Sequence, residues 1–350
     1  MKKEIVKLET EESLQDVEDE LYERYKIVCD RGQEPYRIDK FLTDRIEKVS
    51  RTKIQYAAEA NCILVNKIPV KSNYKIKPYD EIVILLPERV NEYSVLPENI
   101  PLNIVYEDED VMVINKPAGM VVHPGVGNFS KTLVNAVLFH YQQLPQKEGE
   151  PYRPGLVHRI DKNTSGLVVV AKNELSLQHL AKQFFDHTIR RTYHALVWGE
   201  FDVKQGIITG NIGRHPRFRK IFTVTKDETG KHAVTHYKIL ENLGYVALVE
   251  CMLETGRTHQ IRVHMQFIGH PIFNDEAYGG SKIVKGTVHT KYKQFVENCF
   301  TIIPRQTLHA KSLGFIHPKT GKELYFEADL AQDFKQVLDK WRTYAGQIKQ

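Results

Sequence analysis

Apolar residues in this chain recur with two periods, and the two separate along its length. At Ile38, Phe41, Leu42, Ile46 and Val49 the spacing is helical; Ser50 then stands where an N-cap belongs, ahead of Ile54, Ala57 and Ala58 on a second short helix. Strand-like runs follow at Cys62 to Val65, a turn at Asn66-Lys67, Val70, and Glu81 to Leu86. Pro87, Pro97 and Pro101 bracket a polar stretch that reads as a linker over residues 91–101. From Leu102 short strand patterns dominate: Val111 to Ile114, Leu167 to Ala171, Tyr193 to Val197, Thr235 to Leu240 and Val246 to Met252. Helical spacing intervenes at Leu177, Leu180, Ala181 and Phe184, and at Ile261, Met265 and Ile268. Phe334, Val337, Leu338 and Trp341 predict a closing helix over 331–350.

Strands and helices do not alternate regularly, so the expected class is α+β: a mixed, mainly antiparallel central sheet with flanking helices over 102–330, preceded by a small α/β module over 34–90. Residues 1–33 are charged and poorly patterned and read as a flexible acidic extension.

Charge sharpens this division. Residues 1 to 24 hold nine acids against four bases, a balance of −5, so the net +5 of the whole chain leaves +10 on the remainder. A folded body of that sign attracts a polyanion. The longest apolar runs are too short to span a bilayer. Lys2 and Lys3 are followed by Glu4, Glu9, Glu11 and Glu12 where a signal peptide would need apolar residues, so a cytoplasmic protein without membrane partners is expected. Cys29, Cys62, Cys251 and Cys299 form no Cys-x-x-Cys pair, which argues for reduced, buried thiols over a zinc ribbon or disulfide framework.

The segment from His158 to Gly166 puts Asp161 between cations in a polar turn just before the apolar run at Leu167. No other acid lies between Tyr152 and Lys172, so Asp161 is read as a lone reactive carboxylate and not half of a glycosidase-type pair. The acids at Glu107, Asp108, Glu109 and Asp110 precede a strand and read as an exposed turn. A second cluster runs from Glu254 to His264. Gly256 permits a sharp turn, Thr258 can cap the next helix, and Ile261 and Met265 face the core while Arg262 projects elsewhere. Arg257 and His259 lie at that helix start and, with His158 and Arg159, are expected to bind an anionic substrate. If Arg262 meets Asp161 in space it keeps that carboxylate charged. His259 and His264 are five apart, which does not suit a helical zinc pair, and no metal is expected. On the strand after Arg190-Arg191, Tyr193 could stack on a base. In the small module Arg51 and Lys53 open a helix whose free N–H groups suit phosphate. Arg214, His215, Arg217, Arg219 and Lys220 are candidates for a loop that grips a polyanion.

Five motifs in order resemble one family: Lys116-Pro117-Ala118-Gly119 through His123-Pro124, the Asp161 segment, Arg191-Thr192-Tyr193-His194-Ala195, Gly256 to His264, and Leu308-His309-Ala310 with Phe315, His317 and Pro318. They look like the signatures of RluA-like RNA pseudouridine synthases. The small module, through Arg37-Ile38-Asp39-Lys40-Phe41-Leu42, Ser50 to Ile54 and Val65-Asn66-Lys67, resembles the S4-like RNA-binding domain, without the glycine that usually follows the turn asparagine. The resemblance implies a cofactor-free isomerase that converts uridine to pseudouridine in structured RNA, with ribosomal RNA of the large subunit, or a pre-ribosomal particle, as partner and a monomer as the working state. By resemblance Asp161 is the essential aspartate, Tyr193 the aromatic beneath the uracil, Arg262 the partner of the aspartate, and Arg159 the holder of the displaced base. Ile160 and Asn163 depart from the commoner Leu and Asp. The competing readings are a catalytically silent RNA-binding assembly factor and a hydrolase that releases uracil.

Overall fold

The computed structural model describes residues 21–46, 49–59, 62–87, 95–124, 130–145, 154–218, 221–225, 230–287 and 289–348. The chain forms two compact units, Met1–Glu92 and Tyr93–Gln350.

The smaller unit runs β1 (Leu21–Val28), β2 (Tyr36–Arg37), α1 (Ile38–Arg45), α2 (Arg51–Glu59), β3 (Ile63–Val65), β4 (Ile68–Pro69), β5 (Lys75–Ile76) and β6 (Glu81–Pro87). Its antiparallel sheet has the order β1-β6-β3-β4. Ile38, Phe41, Leu42, Ile54, Ile63, Val65, Ile82 and Ile84 share one core, the helical and strand periods meeting there as expected. One expectation fails: residues 21–28 are not a loose extension but an edge strand on β6. Its alternation, with Tyr25 and Ile27 packed on the core, is obscured by the surrounding charges. Residues 1–20 lie outside the described residues. The β3–β4 turn puts Asn66 at φ 51 and Lys67 at φ 69. That is the left-handed pair a two-residue hairpin wants, held without glycine because the Asn66 amide bonds to Asp80 and accepts from Glu81 N–H.

The larger unit contains β7 (Ile104–Glu107), β8 (Val111–Lys116), α3 (Leu133–His140), β9 (Ser165–Ala171), α4 (Glu174–Phe185), β10 (Arg190–Trp198), β11 (Gln205–Arg214), β12 (Phe222–Thr225), β13 (Lys231–Asn242), β14 (Val246–Leu253), α5 (Gln260–Phe267), α6 (Thr290–Ile302), β15 (Leu308–Ile316), β16 (Glu323–Glu327) and α7 (Gln332–Ile348). The strands form one sheet in the order β12-β11-β13-β14-β10-β15-β9-β8-β7, with β16 on β15. Every pairing is antiparallel except β15 on β9. This is the mixed, mainly antiparallel sheet expected.

Alternation along β10 sends Tyr193, Ala195 and Val197 to one face and Leu196 and Trp198 to the other. The first face packs beside Leu133 and Val137 of α3 and Ile261 and Met265 of α5. The second is covered by α6 and α7, where Trp341, Phe334 and Val337 are fully buried. The expected linker is in part fastened to this unit: the Asn135 amide donates to Leu96 O, and Glu98 accepts from Lys131 N–H. The acidic turn is likewise less exposed than expected. Asp110 is buried, and Lys172 ties Glu107 at 2.8 Å. The four cysteines are buried, and among the described residues no helix is long and apolar enough to cross a membrane.

Candidate active site

Asp161 sits in the turn that leads into β9, closed by a hydrogen bond from Thr164 N–H to its own carbonyl at 3.0 Å. Two buried cations hold this turn by its backbone. The Lys116 ammonium donates to Lys162 O at 3.2 Å and to Pro117 O and Met120 O at 2.7 and 2.8 Å. Arg305 donates to Asn163 O at 3.0 Å while pairing with Asp333 at 2.7 Å. Lys116 is fully enclosed; burial, aided by the charge of Arg305 and opposed by that of Asp161, pulls it down to about 7. Gly166 follows at φ 113, where an added Cβ would stand 2.2 Å from Ala310 O. Only glycine lets β9 and β15 approach so closely.

Arg262 reaches the same place from α5. That helix does not start at a Thr258 cap. Its N-cap is His259, left-handed at φ 58 with no side-chain cap bond. Gln260, the first residue of α5, instead ties the preceding turn to the sheet: its side chain accepts from Arg257 N–H and the Thr255 hydroxyl and donates to Val234 O and Thr235 Oγ1. Arg262 Nη1 donates to Asp161 Oδ2 at 3.1 Å. Its other edge is clamped by Asp275, Nε to Oδ2 at 2.7 Å and Nη2 to Oδ1 at 2.9 Å. The guanidinium lies 4.9 Å from the Tyr278 ring. Burial opposes the Arg262 charge, but the bonds and charges of Asp275 and Asp161 outweigh it and raise the group above the usual arginine value.

His259 Nε2 is 3.9 Å from Asp161 Oδ2, and its Nδ1 meets the Tyr278 hydroxyl at 2.8 Å. That hydroxyl also accepts from Phe222 N–H at 3.1 Å, which ties His259 to the strand β12. Burial pulls His259 below the ordinary histidine value despite the nearby Asp161.

Asp161, Arg262 and His259 line one cavity of about 610 Å³, together with His158, Arg159, Arg191, Tyr193 and Arg257. Tyr193 is 7% exposed, and burial pushes its hydroxyl up. Arg159 is exposed at the wall, and Arg257 donates to His232 O at 2.9 Å. Seven of the nine expected site residues, Asp161, Tyr193, Arg262, Arg159, His158, Arg257 and His259, thus share this cavity.

The other two lie in the smaller unit. Arg51 turns Nε and Nη2 onto the fully buried Asp39 at 3.0 and 2.8 Å, and Arg37 binds the same carboxylate. The Arg37 bonds, assisted by Arg51 and Gln55 against burial, hold Asp39 well below the usual carboxylate range. Arg51 is therefore partly committed to the fold, although its side chain stays 45% exposed. Lys53 belongs to α2, and its side chain lies outside the described residues. In the β11–β12 loop, Arg217 covers the exposed Phe218 ring at 5.5 Å; Arg219 and Lys220 also lie outside the described residues.

Asp275, Tyr278 and Arg305 escaped the sequence reading, since each acts through a partner distant in the chain. Asp108, Asp110 and His317 bring metal-ligand atoms within 4.8 Å of one another. Internal hydrogen bonds already occupy them: Asp108 accepts from His317, Tyr106 and two backbone N–H groups, and Asp110 accepts from Asn173.

The family model for RNA pseudouridylate synthase matches residues 110–267. An uncharacterized RNA pseudouridine synthase of Chlorobaculum parvum is 45% identical over 89% of this chain and 95% of its own. A Zymomonas mobilis protein named ribosomal large subunit pseudouridine synthase D is 42% identical over 87% of this chain and 93% of its own. Among solved structures, human RNA pseudouridylate synthase domain containing 4 matches with a TM-score of 0.53 at 24% identity, covering 69% of this chain and 93% of that one, a likeness of fold.

Proposed function

The chain belongs to the RNA pseudouridine synthase family and is an isomerase acting on RNA; we propose that Asp161 is its catalytic carboxylate, held by Arg262, with Tyr193 beneath the target uracil. The observation that carries this is the 3.1 Å bond from Arg262 Nη1 to Asp161 in a cavity also lined by Tyr193. In the reaction the N1–C1′ bond breaks, the uracil turns, and C5 bonds to C1′; the C5 proton is lost and N1 gains one, so no group enters or leaves overall. Asp161 acts at the sugar, either as nucleophile at C1′ or as base for the C2′ proton. Arg262 holds that carboxylate in place.

The target uridine must leave its stack, at a cost of a few kcal/mol, and cationic contacts from Arg159, Arg257 and the β11–β12 loop offset it. The S4-like module adds a second foothold through Arg51 and Lys53 and raises effective concentration. The name of the Zymomonas mobilis relative supports large-subunit ribosomal RNA as substrate, and the reading carries with it a cytoplasmic enzyme that acts as a monomer without cofactor. The test is Asp161→Asn, assayed on bare large-subunit ribosomal RNA. Pseudouridine formation should vanish while RNA affinity stays within a few fold. Retained turnover removes Asp161 from the role, release of free uracil identifies a hydrolase, and wild-type binding without any product identifies a silent binding protein.

A further inference from the structure

Arg191 and His158 line the cavity, and each carries a buried donor, Nε and Nδ1, with no acceptor among the described residues. His158 Nε2 accepts from Val169 N–H at 3.0 Å, so the ring proton sits on Nδ1. Burial, helped by the charge of Arg191, keeps that imidazole neutral. Both residues grip one aromatic ring. His158 stacks on Phe184 with centroids 4.5 Å apart, and the Arg191 guanidinium lies 5.2 Å from the same ring. The guanidinium also lies against Gly256, where an added Cβ would stand 3.3 Å from Nη1. Arg191 is thus a planar cation set beside a ring and a bare backbone, of the residue type whose fork suits a phosphate.

The position on the strand indicates the ligand. Arg191 and Tyr193 are two residues apart on β10 and line the same cavity, about 6.6 Å apart along the strand. Asp161 is the only carboxylate among the lining residues, and Arg262 already engages it. A uracil over Tyr193 carries no charge to match Arg191, whereas the phosphate of the same or the neighbouring nucleotide does. We infer that Arg191 and His158 form a phosphate subsite for the RNA backbone beside the target uridine, Arg191 supplying the charge and His158 a neutral N–H. The inference rests on the reading that this cavity receives a uridine of RNA.

The experiment is equilibrium binding of the full-length protein to a large-subunit ribosomal RNA transcript from low to physiological salt, each variant checked for native circular dichroism. Arg191→Gln should weaken binding and flatten the plot of log affinity against log salt by about 0.7–0.9, the slope of one released counterion. Arg191→Lys should restore that slope, because it restores the charge. His158→Ala should lower affinity several-fold with the slope unchanged. An Arg191→Gln protein that folds and keeps the wild-type slope overturns the subsite, as a base-carbonyl contact or a purely structural role would predict; unchanged affinity in His158→Ala removes His158 from it. Wild-type protein that binds with this salt dependence yet forms no pseudouridine sinks the proposed function and leaves the subsite standing.

Discussion

Replacing Asp275 by asparagine tests whether Arg262 acts on Asp161 as a positioned group. In the wild type three charge-assisted bonds fix the guanidinium, two to Asp275 and one to Asp161. The amide is isosteric, but it removes one charge and turns an N–H toward an arginine N–H in a site that is 1% exposed. Breaking one partner of a buried ion pair costs about 3–5 kcal/mol. Asp161 still accepts from the same guanidinium, so the lower end, about 3 kcal/mol, is expected here. Against a typical stability of about 5–15 kcal/mol the variant remains folded. Freed of its clamp, Arg262 shifts, and a displacement of about 1 Å at such a group costs about 100-fold in rate. The assay is single-turnover pseudouridine formation with enzyme in excess, at a temperature where circular dichroism shows the variant folded, beside a binding titration with the same RNA. Rate should fall about 100-fold while affinity stays within a few fold. A folded variant with a rate within threefold of wild type refutes the positioning argument.

Gly166→Ala forces a Cβ to 2.2 Å from Ala310 O at φ 113, and strain plus overpacking should cost about 2–5 kcal/mol; a urea midpoint equal to that of wild type would show that the β9–β15 approach yields freely. Acid should destabilise the fold through His264 and His309, which are 0% and 1% exposed and which burial pulls down to about 4. Between about pH 6.5 and 4 the unfolded chain binds protons that the folded chain refuses, so stability rises with pH across that window and is lost as pH falls, by on the order of 1–3 kcal/mol for each group. Denaturant midpoints that stay flat from pH 7 to 4.5 contradict this, and His264→Gln should flatten part of the slope.

The chain order of strands and helices was readable because periodicity is local. Two helices with an N-cap at Ser50, the runs at Val111 and Leu167, and the closing helix at Trp341 all announce themselves within a turn or two. β1 was missed because Glu23, Arg24 and Lys26 bury its alternation in charge, although its neighbour β6 supplies the pairing. The Asp161–Arg262 contact was anticipated, yet its support was not. Asp275 lies 13 positions from Arg262 in a turn rich in polar residues, and nothing in its spacing says that both its oxygens face a guanidinium. Lys116 and Arg305 act on carbonyl oxygens of the Asp161 turn, and backbone acceptors leave no mark in a sequence. The expected cap at Thr258 is absent because a left-handed His259 moves the helix start on by one residue, a backbone choice that leaves no mark in the periodicity.

The place of β15 has a consequence for synthesis. Residues 308–316 are made after most of the sheet, yet they lie between β10 and β9. As the chain emerges, β7, β8 and β9 can pair with one another, and β10 to β14 can pair among themselves. The first group carries Asp161 at its edge and the second carries Tyr193 and precedes Arg262. Until β15 inserts, nothing in the sheet joins them. A chain that stalls before Leu308 therefore lacks the strand through which the segments bearing Asp161 and Tyr193 enter one sheet, and only the one core they share is left to hold them together.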